Sequence, residues 1–309
     1  MVEPVELSIV VPVFNEEPVL NELLQRLKPV CENTGKLYEI LFVDDGSSDG
    51  SFKILKKFKS ENCQVRILCF TRNFGQQAAV LAGFRHSRGG LVVQIDADLQ
   101  NPPEEIPKLL DALKDQYDLV TTRHKRRKDE FWRVAGSKIL QWCGQKFLGK
   151  SFRLNLSYFR AMRRGVIEKI DACSDRSRYL AVLVSWMAVP SVEIEVDHHQ
   201  RSRGETKYGF LDLVKLAWDL VAGYSGTPLR LVTYVGLMGA ILGFLLTVFL
   251  VFQRVVRGID IEGFVLLSAV FAFFAGAQLL SIGILGEYVS RIYLQVQNRP
   301  DYIIEKEIQ

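Results

Sequence analysis

The sequence predicts an α/β fold in which a Rossmann-like, mostly parallel sheet carries helices on both faces and is followed by helices that associate with a membrane. Two observations support this prediction. Through about Tyr208, short apolar runs alternate with segments of helical period. Beyond that point, two apolar runs exceed about 20 residues, a length typical of membrane crossings.

The first part contains five runs typical of buried strands. The predicted strands span residues 7–14, 38–45, 65–70, 91–96 and 118–122. The predicted helices between them span about 18–34, 51–60, 76–85 and 103–113. In sheets of this kind, ligands bind beyond the carboxyl ends of the strands.

Polar side chains follow four of the five predicted strands, at the point where each strand ends. They are Asn15 with Glu16, Asp44 with Asp45, Arg72 with Asn73, and Asp96 with Asp98. Because parallel strands end at the same edge, this pattern favours a binding cleft over chance surface charge.

The second part contains two apolar runs, residues 229–252 and 264–285. A helix of about 24 residues is ~36 Å long, more than the ~30 Å hydrocarbon core of a bilayer. Two buried core helices are the alternative, but both runs exceed the usual length for that case. We therefore expect a two-helix transmembrane hairpin over residues 229–289. The richer Lys and Arg content of the N-terminal part favours a cytoplasmic location for it.

Residues 209–224 precede the hairpin and place most of their apolar side chains on one helical face. Such a helix packs on a protein core or lies in a membrane interface, and the nearby hairpin favours the interface. The predicted domains are accordingly a globular domain (1–208), an interface helix (209–228), the hairpin (229–289) and a cytoplasmic tail (290–309).

The tripeptide Asp96-Ala97-Asp98 ends the fourth predicted strand. Two carboxylates at the end of a buried strand are costly unless a cation lies beside them. Mg²⁺ and Mn²⁺ prefer oxygen ligands and often share them with substrate phosphates. Although the tripeptide alone is a weak motif, its position predicts a divalent metal site formed by Asp96 and Asp98.

The stretch VDDGSSDG follows the second predicted strand and has two interpretations. It can be a polar turn in which Ser47, Ser48 or Asp49 caps the next helix. Asp44 or Asp45 can also accept hydrogen bonds from a nucleobase or a ribose at the strand end. Both interpretations stay open.

Two basic segments are candidate phosphate sites. Residues 200–209 carry Arg201, Arg203 and Lys207, and arginine can bind phosphate oxygens two at a time, which favours function over a solvated loop. The run RHKRRK, which includes Arg126 and Arg127, is either solvated charge or a surface for anionic headgroups and an acceptor phosphate. These two alternatives are equally supported.

Composition excludes several classes of protein. A net charge of +4 does not indicate nucleic-acid binding. The five cysteines contain no CxxC pair, which argues against a zinc site or a disulfide framework and fits a reducing compartment. His198 and His199 lack a third metal ligand at useful spacing. Glu3 and Glu6 disfavour a signal peptide, and the lack of a GxGxxG motif after any strand disfavours a dinucleotide oxidoreductase.

Four motifs in this order resemble glycosyltransferase family 2 enzymes with the GT-A fold: VVPVFNEE, VDDGSSDG, RNFGQQAA and DADLQNPPE. The resemblance is to the branch that transfers sugars to polyprenyl phosphates, which includes dolichyl-phosphate mannose synthase. The segments HHQRSRGETKYGF, TPLR and GAQLLSIGILGEYVSRIYLQVQNRPDY are similar to those of bacterial undecaprenyl-phosphate glycosyltransferases. With YFRAMRR, they are most similar to the 4-deoxy-4-formamido-arabinose transferases of lipid A modification.

The resemblance implies inverting transfer of one sugar from a UDP-sugar to undecaprenyl phosphate, with Mg²⁺ or Mn²⁺ as cofactor. It implies a multi-pass protein of the bacterial inner membrane, with a cytoplasmic catalytic domain and a homo-oligomeric state such as a tetramer. The nucleotide-sugar residues it implies are Pro12, Phe14, Glu16, Asp45 and Asp96. The implied metal ligand is Asp98, together with Asp96. The implied catalytic residues are Asp96, Asp98, Arg201 and Lys207. The residues implied to bind the diphosphate and the acceptor are Arg201, Arg203, Lys207, Arg126 and Arg127.

Tyr158 departs from the pattern of many relatives, which carry an aspartate at this position in a GDFRL segment. A dedicated base from this segment is therefore not expected. A phosphate monoester with a second pKa near 6 is largely dianionic at pH 7, so it can attack without losing a proton. Positioning should then matter more than base strength.

Other functions remain as alternatives. The transferred sugar can be glucose or an amino sugar, for O-antigen or another envelope glycan. A processive polysaccharide synthase is disfavoured, because Gly204 replaces the tryptophan of a QxxRW segment that Gln200 and Arg203 would begin. A non-catalytic membrane scaffold is the alternative from another class, and it predicts no nucleotide binding.

Overall fold

A computed structural model describes residues 4–124, 145, 157–173, 180–197, 227–257, 263–297 and 299–309. The chain forms two compact units. The first comprises Met1–Gln145, Lys150–Tyr208 and Arg299–Gln309, and the second comprises Lys146–Gly149 and Gly209–Asn298.

The described part of the first unit contains an eight-stranded sheet. Its strands are β1 (Leu7–Val13), β2 (Tyr38–Asp44), β3 (Val65–Phe70), β4 (Leu91–Gln94), β5 (Leu119–His124), β6 (Arg160–Arg163), β7 (Ser191–Val196) and β8 (Ile304–Ile308). The order across the sheet is β7-β5-β6-β4-β1-β2-β3-β8. β1 pairs in parallel with β2 and β4, β2 with β3, and β5 with β7. The predicted mostly parallel sheet is therefore confirmed.

Helices cover both faces of this sheet. They are α1 (Glu17–Asn33), α2 (Ser51–Glu61), α3 (Gln76–His86), α4 (Ile106–Ala112), α5 (Arg164–Ala172) and α6 (Leu180–Trp186), with a 3-10 turn at Pro103–Glu105. Apolar side chains of α1, α2 and α4 form one core with the sheet. Those of α3, α5 and α6 form a core on the other face. The alternation predicted from hydrophobic period thus produces the expected three layers.

β6 was not predicted, although it lies in the middle of the sheet. It pairs antiparallel with β4 on one side and with β5 on the other. Its four residues, Arg-Ala-Met-Arg, offer little apolar signal, and Arg160 within it is 1% exposed. The neighbouring strands, rather than the propensity of the segment itself, make it a strand.

β8 comes from the segment predicted as a C-terminal tail, and it pairs antiparallel with the outer edge of β3. Arg66 of β3 donates to Glu39 at 2.8 Å and to Glu307 at 2.8 Å. The ring of Tyr302 stacks on Phe70, with centroids 5.1 Å apart. These contacts fix residues 302–308 to the sheet, while the predicted domain boundaries themselves stay predictions.

The ion pair with Arg66 makes the docking of β8 sensitive to acid. The hydrogen bond from Arg66 is the main cause that lowers the pKa of Glu307 from 4.5. A carboxyl with a lowered folded-state pKa stabilises the fold above its unfolded value, and this contribution is lost as the pH falls through the folded-state pKa. We expect that, as the pH is lowered below ~4.5, the melting temperature decreases less in Glu307→Gln than in the unmodified chain. Equal acid sensitivity in calorimetric scans would contradict this.

Gly83 of α3 allows the helix to approach β1 closely. A Cβ at this position would lie 2.2 Å from Cγ1 of Val10, a branched side chain that is 0% exposed. Overpacking a core typically costs 1–3 kcal/mol. We expect Gly83→Ala to lower the free energy of unfolding by about 2 kcal/mol, measured by urea denaturation. Gly90→Ala, where the nearest atom would be 3.9 Å away, is the matched control.

The second unit contains two long helices, α7 (Thr227–Arg257) and α8 (Phe264–Val296). Both extend beyond the predicted runs. A Cβ at Gly239 or Gly243 of α7 would lie 3.1 or 3.7 Å from the ring of Phe274, so these two glycines let α8 pack closely. Within the residues that the structure describes, no helix has both the length and the apolarity required for a membrane crossing.

Candidate active site at the carboxyl edge of the sheet

The carboxyl ends of β1, β2 and β4 lie side by side, because β1 pairs in parallel with both neighbours. The chain leaves β4 through Ile95, whose N–H donates to the carbonyl of Val10 at 3.1 Å. Asp96 and Asp98 follow, and both are half-buried. Leu99 has φ +60°, a left-handed conformation that is rare for a leucine. Strained backbone of this kind concentrates at functional sites.

Asp96 is the most strongly perturbed carboxyl of this edge. The Nε2 of Gln76, in the first turn of α3, donates to its Oδ1 at 2.8 Å. Burial first, and the charge of Asp98 second, raise the pKa of Asp96 to about 7. Arg160 lowers this pKa and Glu16 raises it, so both side chains lie within electrostatic reach of Asp96. Strongly perturbed carboxyls in a cleft are typical of functional sites.

The end of β1 supplies three of the predicted nucleotide residues. Pro12 is buried within the strand, Phe14 is 44% exposed, and Glu16 is half-buried. Asn15 has φ +56°, and its side chain accepts a hydrogen bond from the N–H of Ser48 at 2.8 Å. The loops after β1 and β2 are therefore bonded to each other, and the ring of Phe14 is available for stacking.

Asp45 joins the loop after β2 to the loop after β3. It is 2% exposed, and its two oxygens accept the N–H groups of Phe74 at 2.7 Å and Gly75 at 2.9 Å. Burial raises the pKa of Asp45 in spite of these bonds. The same loops meet at Gly46, φ +69°, where a Cβ would lie 2.6 Å from the backbone carbon of Arg72. Asp45 thus orders the segment that leads into α3.

We expect Asp45→Ala to loosen this segment. Two backbone N–H groups would lose their acceptor, at a cost of about 1–3 kcal/mol per buried unsatisfied group. Urea denaturation should show a loss of that order, and Asp45→Asn should retain part of it because an amide oxygen still accepts. Unchanged stability in Asp45→Ala would contradict the ordering role.

The turn after β2 differs in detail from the predicted cap. The N-cap of α2 is Gly50 rather than Ser47, Ser48 or Asp49. Asp49 still accepts the N–H of Ser51 at 3.0 Å, and its other oxygen accepts the N–H of Glu17 at 3.1 Å. Because α1 begins at Glu17 and α2 at Ser51, the carboxylate of Asp49 accepts a hydrogen bond from the first N–H group of each helix.

The hydroxyl of Tyr158 accepts a hydrogen bond from Gln77 Nε2 at 2.7 Å. Gln77 Oε1 in turn accepts the N–H of Leu180 at 3.3 Å. The guanidinium carbon of Arg160 lies 5.9 Å from the centroid of the Tyr158 ring. Gln76, Gln77 and Arg160 were not predicted as site residues, although the first two lie in RNFGQQAA and the third lies in YFRAMRR.

The structure therefore brings Glu16, Asp96 and Asp98 together, beside Pro12 and Phe14, and it places Asp45 two strands away from β4. No group of three or more His, Cys, Asp or Glu side chains suited to a metal occurs among the described residues. Other predicted site residues lie outside the described part of the chain, as does the predicted interface helix. They are Arg126, Arg127, Arg201, Arg203 and Lys207.

Two solved structures share this fold. Both are glucosyl-3-phosphoglycerate synthase from Mycobacterium tuberculosis, at 17% identity and covering 71% of this chain. One is in complex with Mn²⁺ and uridine-diphosphate-glucose, with a TM-score of 0.51 over 77% of that chain. The other is in complex with Mg²⁺ and uridine-diphosphate, with a TM-score of 0.50 over 78% of that chain.

Two curated proteins are similar to nearly the whole chain. One is the undecaprenyl-phosphate 4-deoxy-4-formamido-L-arabinose transferase of Edwardsiella ictaluri, 42% identical over 96% of this chain and 93% of its own length. The other has the same name, comes from Aeromonas hydrophila, and is 39% identical over 97% of this chain and 93% of its own length. The family profile described as glycosyl transferase family 2 matches residues 8–171. On these matches and on its fold, the chain belongs to glycosyl transferase family 2.

Proposed function

We propose that the chain transfers one sugar from a UDP-sugar to undecaprenyl phosphate, with inversion, in a single displacement. The observation that carries the proposal is the convergence of Glu16, Asp96 and Asp98 at the carboxyl edge of β1 and β4. The two relatives at 42% and 39% identity support the acceptor class, since their name specifies undecaprenyl phosphate.

A divalent cation fits the residues present. Asp96 and Asp98 are hard oxygen donors, and burial first, with the charge of Asp98 second, raises the pKa of Asp96, so a cation beside the two carboxylates would offset an existing cost. Asp98 would hold Mg²⁺ or Mn²⁺ with Asp96 beside it, and diphosphate oxygens and water would complete the shell. The ion would supply positive charge against the departing nucleoside diphosphate.

The protein's own groups would bind and orient the reactants. In this proposal Phe14 stacks on the nucleobase, Asp96 faces the sugar, and Arg201 and Lys207 bind the diphosphate, as favoured by the charge of that loop. The lipid phosphate attacks as a dianion, so no side chain needs to remove a proton. The hydrogen bond from Gln77 to the hydroxyl of Tyr158 supports this, because it favours a role for Tyr158 in positioning other groups over a role as a base.

We further propose that the enzyme lies at the cytoplasmic face of a bacterial inner membrane, as a homo-oligomer. The two apolar runs of the sequence, residues 229–252 and 264–285, support insertion as a hairpin. So do their exposed large apolar side chains, which include Leu242, Phe244, Phe271 and Leu279. The segment 209–228 would lie in the interface and keep the site near the lipid phosphate.

The sugar is proposed to be 4-deoxy-4-formamido-L-arabinose, with glucose and amino sugars as alternatives. The test incubates purified protein with undecaprenyl phosphate, Mn²⁺ and a panel of UDP-sugars, and identifies the lipid product by mass. The expected product is undecaprenyl phosphate that carries the formamido-arabinose. A different glycolipid would correct the sugar, whereas no glycolipid from any donor, with no UDP binding by calorimetry, would favour the scaffold.

A further inference from the structure

Arg160 is a buried cation directly behind the acidic edge of the sheet. It lies on β6 and is 1% exposed. Its register partner on β4 is Gln94, which is 0% exposed. Residues directly opposite each other in an antiparallel pair share one face of the sheet. The two side chains therefore share the face that α3 covers, together with Val10, the register partner of Gln94 on β1.

Four polar atoms of this pair have no hydrogen-bond partner within the described structure: Nε and Nη2 of Arg160, and both amide atoms of Gln94. A buried unsatisfied group costs about 1–3 kcal/mol, and more when it is charged. Burial lowers the pKa of Arg160, and only the charges of Tyr158 and Asp96 oppose this effect. Proteins depart from the rule that buried polar groups are paired mainly at functional sites. The buried guanidinium of Arg160, next to the carboxylates that follow β4, therefore indicates a function for Arg160 at the candidate site.

Asp96 is held from one side by Gln76, which donates to Oδ1. Asp98 and Glu16 add negative charge nearby, and Arg160 is the basic side chain that acts on Asp96 from within the protein. Hydrogen bonds in catalytic sites often tighten only when the substrate binds. The unpaired N–H groups of Arg160 are donors suited to such tightening.

Resting on the function proposed above, in which Asp96 faces the donor sugar, we propose that Arg160 is a positioning residue that holds the Asp96 carboxylate toward the sugar. Arg160 acts through Asp96, not on the nucleotide. Its contribution therefore belongs to the sugar-dependent part of donor binding and to turnover. The affinity for UDP alone is independent of it.

The test compares Arg160→Met and Arg160→Gln with the unmodified enzyme. Calorimetry with Mn²⁺ gives Kd for UDP and for UDP-4-deoxy-4-formamido-L-arabinose, and product formation gives kcat. We expect Kd for UDP to stay within about twofold of the unmodified value, and the preference for the UDP-sugar over UDP to be lost. We expect kcat to fall about 10- to 100-fold, a loss of the size that a misplaced catalytic group causes. Arg160→Lys, which keeps the charge, should recover part of kcat.

Arg164→Met is the matched control. Arg164 is half-buried, and its guanidinium donates to the carbonyls of Ser87 at 2.6 Å and Gly89 at 2.8 Å, which lie outside the acidic edge. This variant should lose stability while kcat and the ratio of the two Kd values stay unchanged. The comparison separates loss of stability from loss of positioning.

A double-mutant cycle keeps the test decisive if Arg160→Met does not fold. In an Asp96→Asn background, Arg160→Gln should lower kcat by less than about twofold, because a residue that acts through Asp96 has nothing left to position. Equal losses in both backgrounds, or a parallel weakening of UDP and UDP-sugar binding, would overturn the proposal. If the unmodified enzyme bound UDP and the UDP-sugar with equal affinity, the proposed contact of Asp96 with the sugar would be wrong. If it did not bind UDP at all, the proposed function itself would fail.

Discussion

Asp98→Ala is expected to abolish sugar transfer while the protein stays folded. The proposed metal would lose its principal ligand, and the departing nucleoside diphosphate would lose the charge that stabilises it. Removing a single stabilising group from a transition state commonly costs 10²–10³-fold in kcat, so we expect a loss of about 10³-fold or more. Product formation is measured by mass of the glycolipid, with folding checked by circular dichroism.

Asp115→Ala is the matched control for this prediction. Asp115 belongs to the same unit, its side chain is fully exposed, and among the described residues it makes one ion pair, with Arg163 at 3.4 Å. Its removal should leave both activity and stability nearly unchanged, since exposed ion pairs contribute little. Full activity in Asp98→Ala would contradict the metal site, and equal losses in the two variants would show an effect unrelated to the site.

Arg66→Ala is expected to give the largest loss of stability. The side chains of Arg66 and Glu39 are 8% and 4% exposed, and they are 2.8 Å apart. Glu39 also accepts hydrogen bonds from Ser8 Oγ and from the N–H of Arg88. Removal of one partner leaves a buried charge uncompensated, which costs about 3–5 kcal/mol. Glu307 would lose its partner as well, so β8 should detach first.

Urea denaturation measures the total loss, and hydrogen exchange of the β8 amides measures the detachment. The exposed pair of Lys28 and Glu32 is the control, and Lys28→Ala should cost no more than about 1 kcal/mol. A loss of similar size in both variants would contradict the view that burial makes the Arg66 network strong.

The first five strands and their helices were predictable because local pattern and tertiary environment agree there. β1, β2 and β3 are rich in apolar residues and become buried on both faces, although they include buried polar side chains such as Ser8, Glu39 and Arg66. β6 and β8 were not predictable, because their sequences, RAMR and IEKEI, carry charge where the pattern requires apolar residues. Arg66 is buried because the topology places Glu39 and Glu307 beside it, and Arg160 is buried opposite Gln94 on the neighbouring strand, and no local period reveals either arrangement.

The candidate site likewise contains residues whose positions the sequence predicted and contacts that it did not predict. The strand pattern placed Asp96, Asp98 and Glu16 at strand ends, where ligands bind in sheets of this kind, and the functional roles of these residues and of Phe14 stay predictions. The supporting contacts of Gln76 with Asp96, and of Gln77 with Tyr158, were not found, because they join α3 to segments 20 and 81 residues away. Asp45 was assigned to the nucleotide, and the structure adds that both its oxygens already accept backbone N–H groups.

The most direct test of the central claim is calorimetric titration of UDP into the purified protein, with Mn²⁺ and with a chelator in its place. If the carboxylate of Asp98 holds a cation that the diphosphate shares, UDP will bind with Mn²⁺ and lose at least about tenfold in affinity without it, as it will in Asp98→Ala with Mn²⁺ present. Binding of UDP with the same affinity in all three conditions would contradict the claim.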